Sequence, residues 1–268
     1  QFVGSGLLLF MSYSSLAFVN ALTFLVAGIL YLSVGLKHKK AGQSLERQEV
    51  NEQKFLATMK SSYMQAKKAH GLLTIMVIVA LLNGVLGAMS ALIPIVMAGH
   101  KSTMLIGSYS FTMALMGVLV SLGAAFGSMF GQQLFRNVSA FAMTITAGIL
   151  SFLTTLSSIT AHIYAILPFF FLLAATASIA SIKLTQWLVN TVEHKILAST
   201  MGLLNTFAMA SAPVMTTIFT TISGISDVRY ALIVLLAVEV SVVFVAVRLS
   251  VKVKRSQTEA ETVIKVSE

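Results

Sequence analysis

The sequence predicts an all-α integral membrane protein, for three reasons. Hydrophobic residues make up 57% of the 268 residues and charged residues only 10%, whereas soluble domains average about 45–50% and about 25%. The mean hydropathy is +0.89. The apolar residues also form uninterrupted runs long enough to cross a bilayer as helices, which takes about 20 residues each. These runs lack the period-two alternation that indicates a transmembrane β-barrel.

The runs predict about seven full transmembrane helices after one partial helix. The partial helix covers residues 2–11 and is too short to span a bilayer by itself. Because the chain starts at Gln1 inside this apolar run, we expect an N-terminal truncation. The full helices are predicted at 14–36, 72–98, 104–130, 138–157, 163–182, 198–223 and 230–249.

Two polar stretches flank these helices. Residues 37–70 form a long loop in which Phe55, Met59 and Tyr63 share one helical face. This periodicity predicts an amphipathic helix on the membrane surface, and the alternative is a solvated linker. Residues 251–268 are polar and of mixed charge, so we expect a disordered tail.

The distribution of Lys and Arg predicts the orientation in the membrane. Sixteen of the 18 basic residues lie in the long loop, in the turns on its side of the membrane and in the tail, and only Lys101 and Arg229 lie on the opposite side. The positive-inside rule therefore places the long loop and the C-terminus in the cytoplasm. The net charge of +9 is explained in this way without nucleic acid, and the basic loop suits anionic membrane lipids.

Local sequence and helix order together resemble the major facilitator superfamily of transporters. Val3-Gly4-Ser5-Gly6 resembles the end of its helix 5, and Phe18-Val19-Asn20-Ala21-Leu22-Thr23-Phe24-Leu25 resembles helix 6 of bacterial drug-efflux members, including the macrolide-efflux branch. The loop between helices 8 and 9 in that family carries a glycine and basic motif, which Gly127 and Arg136 match, whereas Gly131 stands at its Asp position.

The resemblance implies a domain organisation and a location. Residues 1–36 would be the end of the N-terminal six-helix half, 37–70 the central cytoplasmic loop, 71–249 the C-terminal six-helix half and 250–268 the cytoplasmic tail. The protein would lie in the bacterial plasma membrane. We expect the 268-residue chain not to transport alone, because the preceding helices of the same protein would form half of the cavity wall.

The function that the resemblance implies is secondary active transport by alternating access, namely proton-coupled efflux of lipophilic or amphiphilic small molecules. The alternatives are an importer of the same family and a transport-inactive membrane protein that binds a partner or lipid. The sequence contains no phosphate-binding glycine loop, zinc-protease motif or nucleophile elbow. The five histidines lack metal-ligand spacing, so we expect no enzyme, no cofactor and no metal site.

Glu239 is the most informative single residue, because it lies near the middle of the last predicted helix. A carboxyl group at this depth is costly when charged, and it is a functional hypothesis by default. No Lys or Arg lies within one helical turn of it. The sequence therefore predicts a proton-coupling residue, and the alternative is a protonated glutamic acid that is bonded to a neighbouring helix.

Four further side chains are candidates for contact with a substrate in the cavity. Asn83 lies inside the predicted helix 72–98 and Asn205 and Thr206 inside the predicted helix 198–223, where each could bind a substrate or bridge two helices. Tyr109 in the predicted helix 104–130 could stack on an aromatic substrate or provide an inter-helix hydroxyl group.

Glycines and prolines give the predictions for packing and gating. Gly123, Gly127 and Gly131 repeat every fourth residue and predict a helix face that another backbone approaches closely. Pro94 and Pro213 lie inside predicted helices and remove a backbone hydrogen bond, which predicts kinks. Such kinks serve either as hinges or as static bends.

Overall fold

The computed structural model describes residues 72–192 and 194–267, together with scattered positions between residues 15 and 28 and Met64. Side chains are described for 72–192 and 197–251 within the two long ranges. The predictions for the partial helix at 2–11, for most of 14–36 and for the amphipathic helix in 37–70 lie outside the described residues. All the regular elements of the described part are α-helices.

Six of the described helices are long and apolar enough to cross a membrane. This confirms an all-helical chain with the composition of an integral membrane protein. A single short helix, α2, lies between the first two of them. The helices are α1 Leu72–Gly99, α2 Lys101–Met104, α3 Tyr109–Leu134, α4 Ala140–Ile159, α5 Ile163–Thr191, α6 His194–Ile225 and α7 Val228–Ser267.

Two helix starts are fixed by serine caps rather than by hydropathy. The Ser108 hydroxyl accepts a hydrogen bond from the Phe111 amide at 3.1 Å, and the Ser139 hydroxyl accepts one from the Ala142 amide at 3.2 Å. Each serine satisfies one of the amides that have no partner within the first turn of a helix. The predicted helix 104–130 consequently begins late, at Tyr109, and ends at Leu134.

Helices α5 and α1 each contact several other helices of the bundle. Helix α5 lies between α3 and α4, whereas α1 packs most extensively on α6 and also contacts α7 and α4. Helix α7 packs on α4, α1 and α6. Helices α5 and α6 approach each other in few places. Leu188 and Val192 of α5 join Leu203 and Leu204 of α6 in a small buried cluster, and a gap is left between other parts of the two helices.

One half of the bundle, which we call the packed half, is filled by a continuous apolar core. It combines the C-terminal parts of α1, α4 and α6 with α2 and the N-terminal parts of α3, α5 and α7. Leu92, Met97, Met104, Ile166 and Leu235 are completely buried there. The opposite half, towards the N-terminus of α1, contains the gap between α5 and α6 and is called the cavity half below.

The glycine face of α3 lies directly against α5. A Cβ atom on Gly123 would collide with the carbonyl oxygen of Phe171, and one on Gly127 with that of Ala175. A Cβ atom on Gly131 would collide with the Ile179 side chain. The three glycines therefore allow two helix backbones to approach more closely than larger residues permit, which is a common form of helix packing in membranes.

The C-terminal tail differs from its prediction. We expected residues 251–268 to be disordered, but α7 continues as a helix to Ser267. After Val251 the sequence contains neither Gly nor Pro, and nine of its 17 residues are Lys, Glu, Gln, Arg or Ala. These residues have good helix propensity, so the helix that starts inside the membrane segment propagates through this polar sequence at little cost.

Candidate functional site

A cavity of about 710 Å³ occupies the cavity half, beside the gap between α5 and α6. Its walls come from α1, α4, α5 and α6 and are mostly aliphatic. The polar exceptions are amides and hydroxyl groups, and none of the described residues that line it is charged. Small-molecule sites in proteins have this character, with apolar walls and a few placed polar groups. The polar lining residues are Asn83, Thr144, Ser151, Ser181, Thr185 and Asn205.

The two asparagines predicted to contact a substrate both line this cavity. The Asn83 Nδ2 group donates to the Val79 carbonyl oxygen at 3.0 Å, one turn earlier in α1. Because only the amide nitrogen can donate to a carbonyl oxygen, the Asn83 Oδ1 atom is left as an acceptor. Asn205 is exposed and makes no hydrogen bond within the described part of the chain.

Glu239 lies behind the cavity, in α7, and its side chain is only 2% exposed. The Ser151 hydroxyl donates to its Oε1 atom at 2.7 Å, and the Thr155 hydroxyl donates to the same atom at 2.9 Å. Both donors belong to α4. The Oε2 atom is buried without a hydrogen-bond partner among the described residues. The Oε2 atom is therefore the oxygen that can carry a proton while Oε1 accepts both hydrogen bonds.

Ser151 connects these two features. Its side chain lines the cavity, and its hydroxyl donates to Glu239. Thr155, the other donor, is completely buried and does not line the cavity. The carboxyl group is therefore one hydroxyl group away from the space in which a solute would bind.

Sequence reasoning missed Ser151 and Thr155. They lie 88 and 84 residues before Glu239 in the chain, so no local motif links the three. One signal was present, because two hydroxyl residues spaced by four lie on the same face of a helix. Serine and threonine are common in membrane helices, however, and the sequence contains several such pairs.

The other two cavity candidates lie elsewhere. Tyr109 begins α3 and packs against the apolar core of the packed half. The Thr206 hydroxyl donates to the Gly202 carbonyl oxygen at 2.9 Å, on an exposed face of α6, and Thr206 does not line the cavity. A helix advances 100° per residue, so two sequence neighbours such as Asn205 and Thr206 face different surroundings.

The residues predicted to act in packing or gating are spread over the molecule. Arg136 is exposed in the turn between α3 and α4. Pro94 lies in α1 beside the apolar core, whereas Pro213 lines the cavity. Both helices continue across their prolines as single elements. The glycine face of α3 contacts the side of α5 that carries Phe171 and Ala175, whereas Leu173 and Ala177 of α5 line the cavity.

Comparisons of the chain with protein-family models, with curated proteins and with solved structures find no match in any of the three.

Proposed function

We propose that this chain is the solute-binding half of a secondary active transporter in a membrane. The observation that carries the proposal is the cavity of about 710 Å³ between four membrane-type helices, with Asn83 and Asn205 in its wall. The volume lies within the range of about 300–1,000 Å³ that is usual for small-molecule sites. The described lining residues are uncharged, which suits a neutral lipophilic or amphiphilic solute.

Two further features support a transporter over a passive membrane scaffold. The packed half blocks one side of the bundle, whereas the cavity half is closed at its far end by a smaller apolar cluster that contains Leu72, Met76, Leu188 and Leu203. A thick barrier on one side and a thin one on the other suit a site that opens to one side at a time, as alternating access requires. Glu239 provides a protonatable group next to this site through Ser151, so a proton gradient is the proposed energy source.

The finer assignment follows from the sequence resemblance described above. We propose the fold of the major facilitator superfamily, a place in the bacterial plasma membrane with the long loop and C-terminus cytoplasmic, and efflux as the direction of transport. On this proposal the facing wall of the cavity comes from helices of the same protein that precede α1. Membrane lipids surround the bundle and protons are the coupling ion.

A binding measurement tests the cavity as a solute site. The chain is reconstituted in nanodiscs, and naphthalen-2-ol is titrated by its own fluorescence. We expect saturable binding in the wild type. The double variant Asn83→Leu with Asn205→Leu loses two hydrogen bonds of about 1 kcal/mol each, which weakens binding by about tenfold or more.

The matched control is Thr206→Val, which alters a neighbouring polar residue outside the cavity. We expect its affinity to equal that of the wild type. The proposal is contradicted if naphthalen-2-ol does not saturate, or if Thr206→Val weakens binding as much as the double variant. In cells that express the gene encoding this chain, the double variant should also abolish any reduction in the accumulation of naphthalen-2-ol.

A further inference from the structure

Another depression, of about 310 Å³, runs along the outside of the bundle between α7 and the middle of α1. We call it the α7 groove. It shares no lining residue with the cavity described above. Leu81 of α1 lies on one side of it, and the residues of α7 that are exposed in it are Val234, Ala237, Ser241 and Val245. The groove therefore opens to the surroundings of the bundle and not to its interior.

The surface of the α7 groove is apolar although it contains a serine. Ala237 and Ser241 are four positions apart and lie on one face of the helix, where their small side chains leave the depression. The Ser241 hydroxyl donates to the Ala237 carbonyl oxygen at 2.9 Å. Because this hydrogen is used within the helix, the serine needs no polar partner in the groove. The occupant that fits such a surface is a hydrocarbon chain.

The α7 groove is about as long as one leaflet of a bilayer is deep. It follows α7 from Val234 to Val245, which is about 16 Å of helix at about 1.5 Å per residue. The hydrocarbon core of a bilayer is about 30 Å thick, so each leaflet contributes about 15 Å. An acyl chain of a single phospholipid therefore matches the groove in length.

Arg248 lies at one end of the α7 groove. It follows Val245 by three positions on the same helical face, near the end of the membrane-type segment Val228–Val251. Its guanidinium group lies 4.5 Å from the centre of the Phe244 ring, which is a cation–π contact. Among the described residues it forms no hydrogen bond or ion pair. Its N–H donors can therefore bind a phosphate group, whose oxygens suit their planar arrangement.

Positive charge continues along α7 beyond Arg248. The helix extends past this point, and Lys252 and Arg255 follow Arg248 at spacings of four and seven, which correspond to one helical face. The sequence contains no Asp or Glu between Glu239 and Glu259. Basic residues at a membrane surface attract anionic lipids, so this end of the groove is complementary to a negatively charged headgroup.

We propose that an anionic phospholipid binds in the α7 groove, with one acyl chain between Val234 and Val245 and its phosphate group at Arg248. This inference goes beyond the proposed transport function, because it does not depend on what the cavity binds. Lipids that only surround a bundle exchange without regard to one particular residue. A bound phospholipid requires both the arginine at the end of the groove and the space beside Ala237.

The experiment places a single tryptophan beside the α7 groove. The one tryptophan of the chain, Trp187, is replaced in Trp187→Phe, and Phe244→Trp adds a reporter that keeps an aromatic ring beside Arg248. This reporter chain is reconstituted in dioleoylphosphatidylcholine vesicles with increasing fractions of dibrominated phosphatidylglycerol or dibrominated phosphatidylcholine. Bromine quenches the tryptophan on contact, so the two titrations give the relative affinities of the two headgroups. We expect phosphatidylglycerol to be preferred by about fivefold or more, the factor for one basic residue at an anionic surface.

Two pairs of variants in the reporter chain test the headgroup and the acyl chain separately. Arg248→Gln should lower the preference by about fivefold, whereas Arg229→Gln, which removes the same charge near the other end of α7, should not change it. Ala237→Leu fills the groove and should abolish the preference. Ala210→Leu makes the same change at an exposed position of α6 outside the groove and should retain it. If Ala237→Leu does not fold, Ser241→Leu fills the groove from the next turn and should give the same loss.

Each of the other outcomes overturns the inference. Equal quenching by the two lipids would show that the groove does not select an anionic headgroup. No quenching by either lipid would show that protein covers the groove, either the predicted helix 14–36 or a second copy of the chain. If Arg248→Gln and Arg229→Gln have equal effects, only the general positive charge attracts the lipid. If Ala237→Leu retains the preference, the headgroup binds without the groove.

Discussion

The packed half and the cavity half of the bundle are built from the same helices but differ in what fills the space between them. In the packed half, large apolar side chains such as Leu92 and Phe219 interdigitate and exclude other molecules. In the cavity half, the same helices carry Asn83, Ser151 and Asn205 around an open space. The same helices therefore form a barrier where their residues are large and apolar, and a cavity where polar residues surround an open space.

The cavity half is not simply loosely packed. On one side of α5 the residues Phe171 and Ala175 are in close contact with the glycine face of α3, while on the other side Leu173 and Ala177 line the cavity. Helix α5 is thus packed closely against α3 on one side and faces the cavity on the other. The wall that α5 gives to the cavity is therefore supported closely by α3.

The largest effect that the comparison predicts is at Phe219 in the packed half, whose side chain is buried on α6. Replacing a buried phenylalanine by alanine leaves an unfilled volume and costs about 3–5 kcal/mol. We expect Phe219→Ala to lower the free energy of unfolding by about this amount, as measured by reversible unfolding in mixed SDS micelles.

Phe207, on the exposed face of the same helix in the cavity half, is the control. Phe207→Ala should change the free energy of unfolding by less than about 0.5 kcal/mol, as is usual for a surface position. Equal losses at Phe219 and Phe207 would mean that the two halves do not differ in packing.

A smaller effect is expected at Gly127, and it tests whether α3 packs closely against α5. A Cβ atom there would meet the backbone of Ala175, which has no flexible end to move aside. We expect Gly127→Ala to destabilise the chain by about 1–3 kcal/mol, as overpacking usually does. The same unfolding measurement applies.

The matched variant replaces Gly202, and the expected change in the free energy of unfolding is zero or of the opposite sign. A Cβ atom at this exposed position of α6 has nothing within 4 Å, and alanine favours a helix by about 1 kcal/mol relative to glycine. Gly202→Ala should therefore leave the stability unchanged or raise it slightly. A loss at Gly202 as large as that at Gly127 would remove the argument for close contact between α3 and α5.

Much of the helix pattern could be predicted from sequence, because the hydropathy of a membrane-type helix is a property of consecutive residues. The six described spanning helices match six predicted segments, and Glu239 lies, as expected, near the middle of the membrane-type segment Val228–Val251 of α7. The ends of the helices were harder to predict from the sequence. The start of α3 is set by the cap at Ser108 and by Gly107, whose φ of +70° is not a helical conformation. A hydropathy pattern contains no information about either feature.

The candidate site was only partly predictable, since it depends on contacts between distant residues. Asn83 and Asn205 were found because polar amides are rare in apolar helices, and both line the cavity. The prediction for Tyr109 rests on residue type alone, and its helix places it against the packed core. Ser151 is chemically ordinary in sequence, and its importance comes from lying between Glu239 and the cavity.

The most direct test of the central claim is the accessibility of single cysteines, because the chain contains no natural cysteine. A hydrophilic maleimide reacts with the thiolate and therefore requires water at the site. In nanodiscs, Ala177→Cys in the cavity wall should react and be protected by saturating naphthalen-2-ol, whereas Ala88→Cys, which is fully buried in the packed half, should stay unreactive. If Ala177→Cys is as unreactive as Ala88→Cys, or reacts without protection by naphthalen-2-ol, the cavity half is not an accessible solute site.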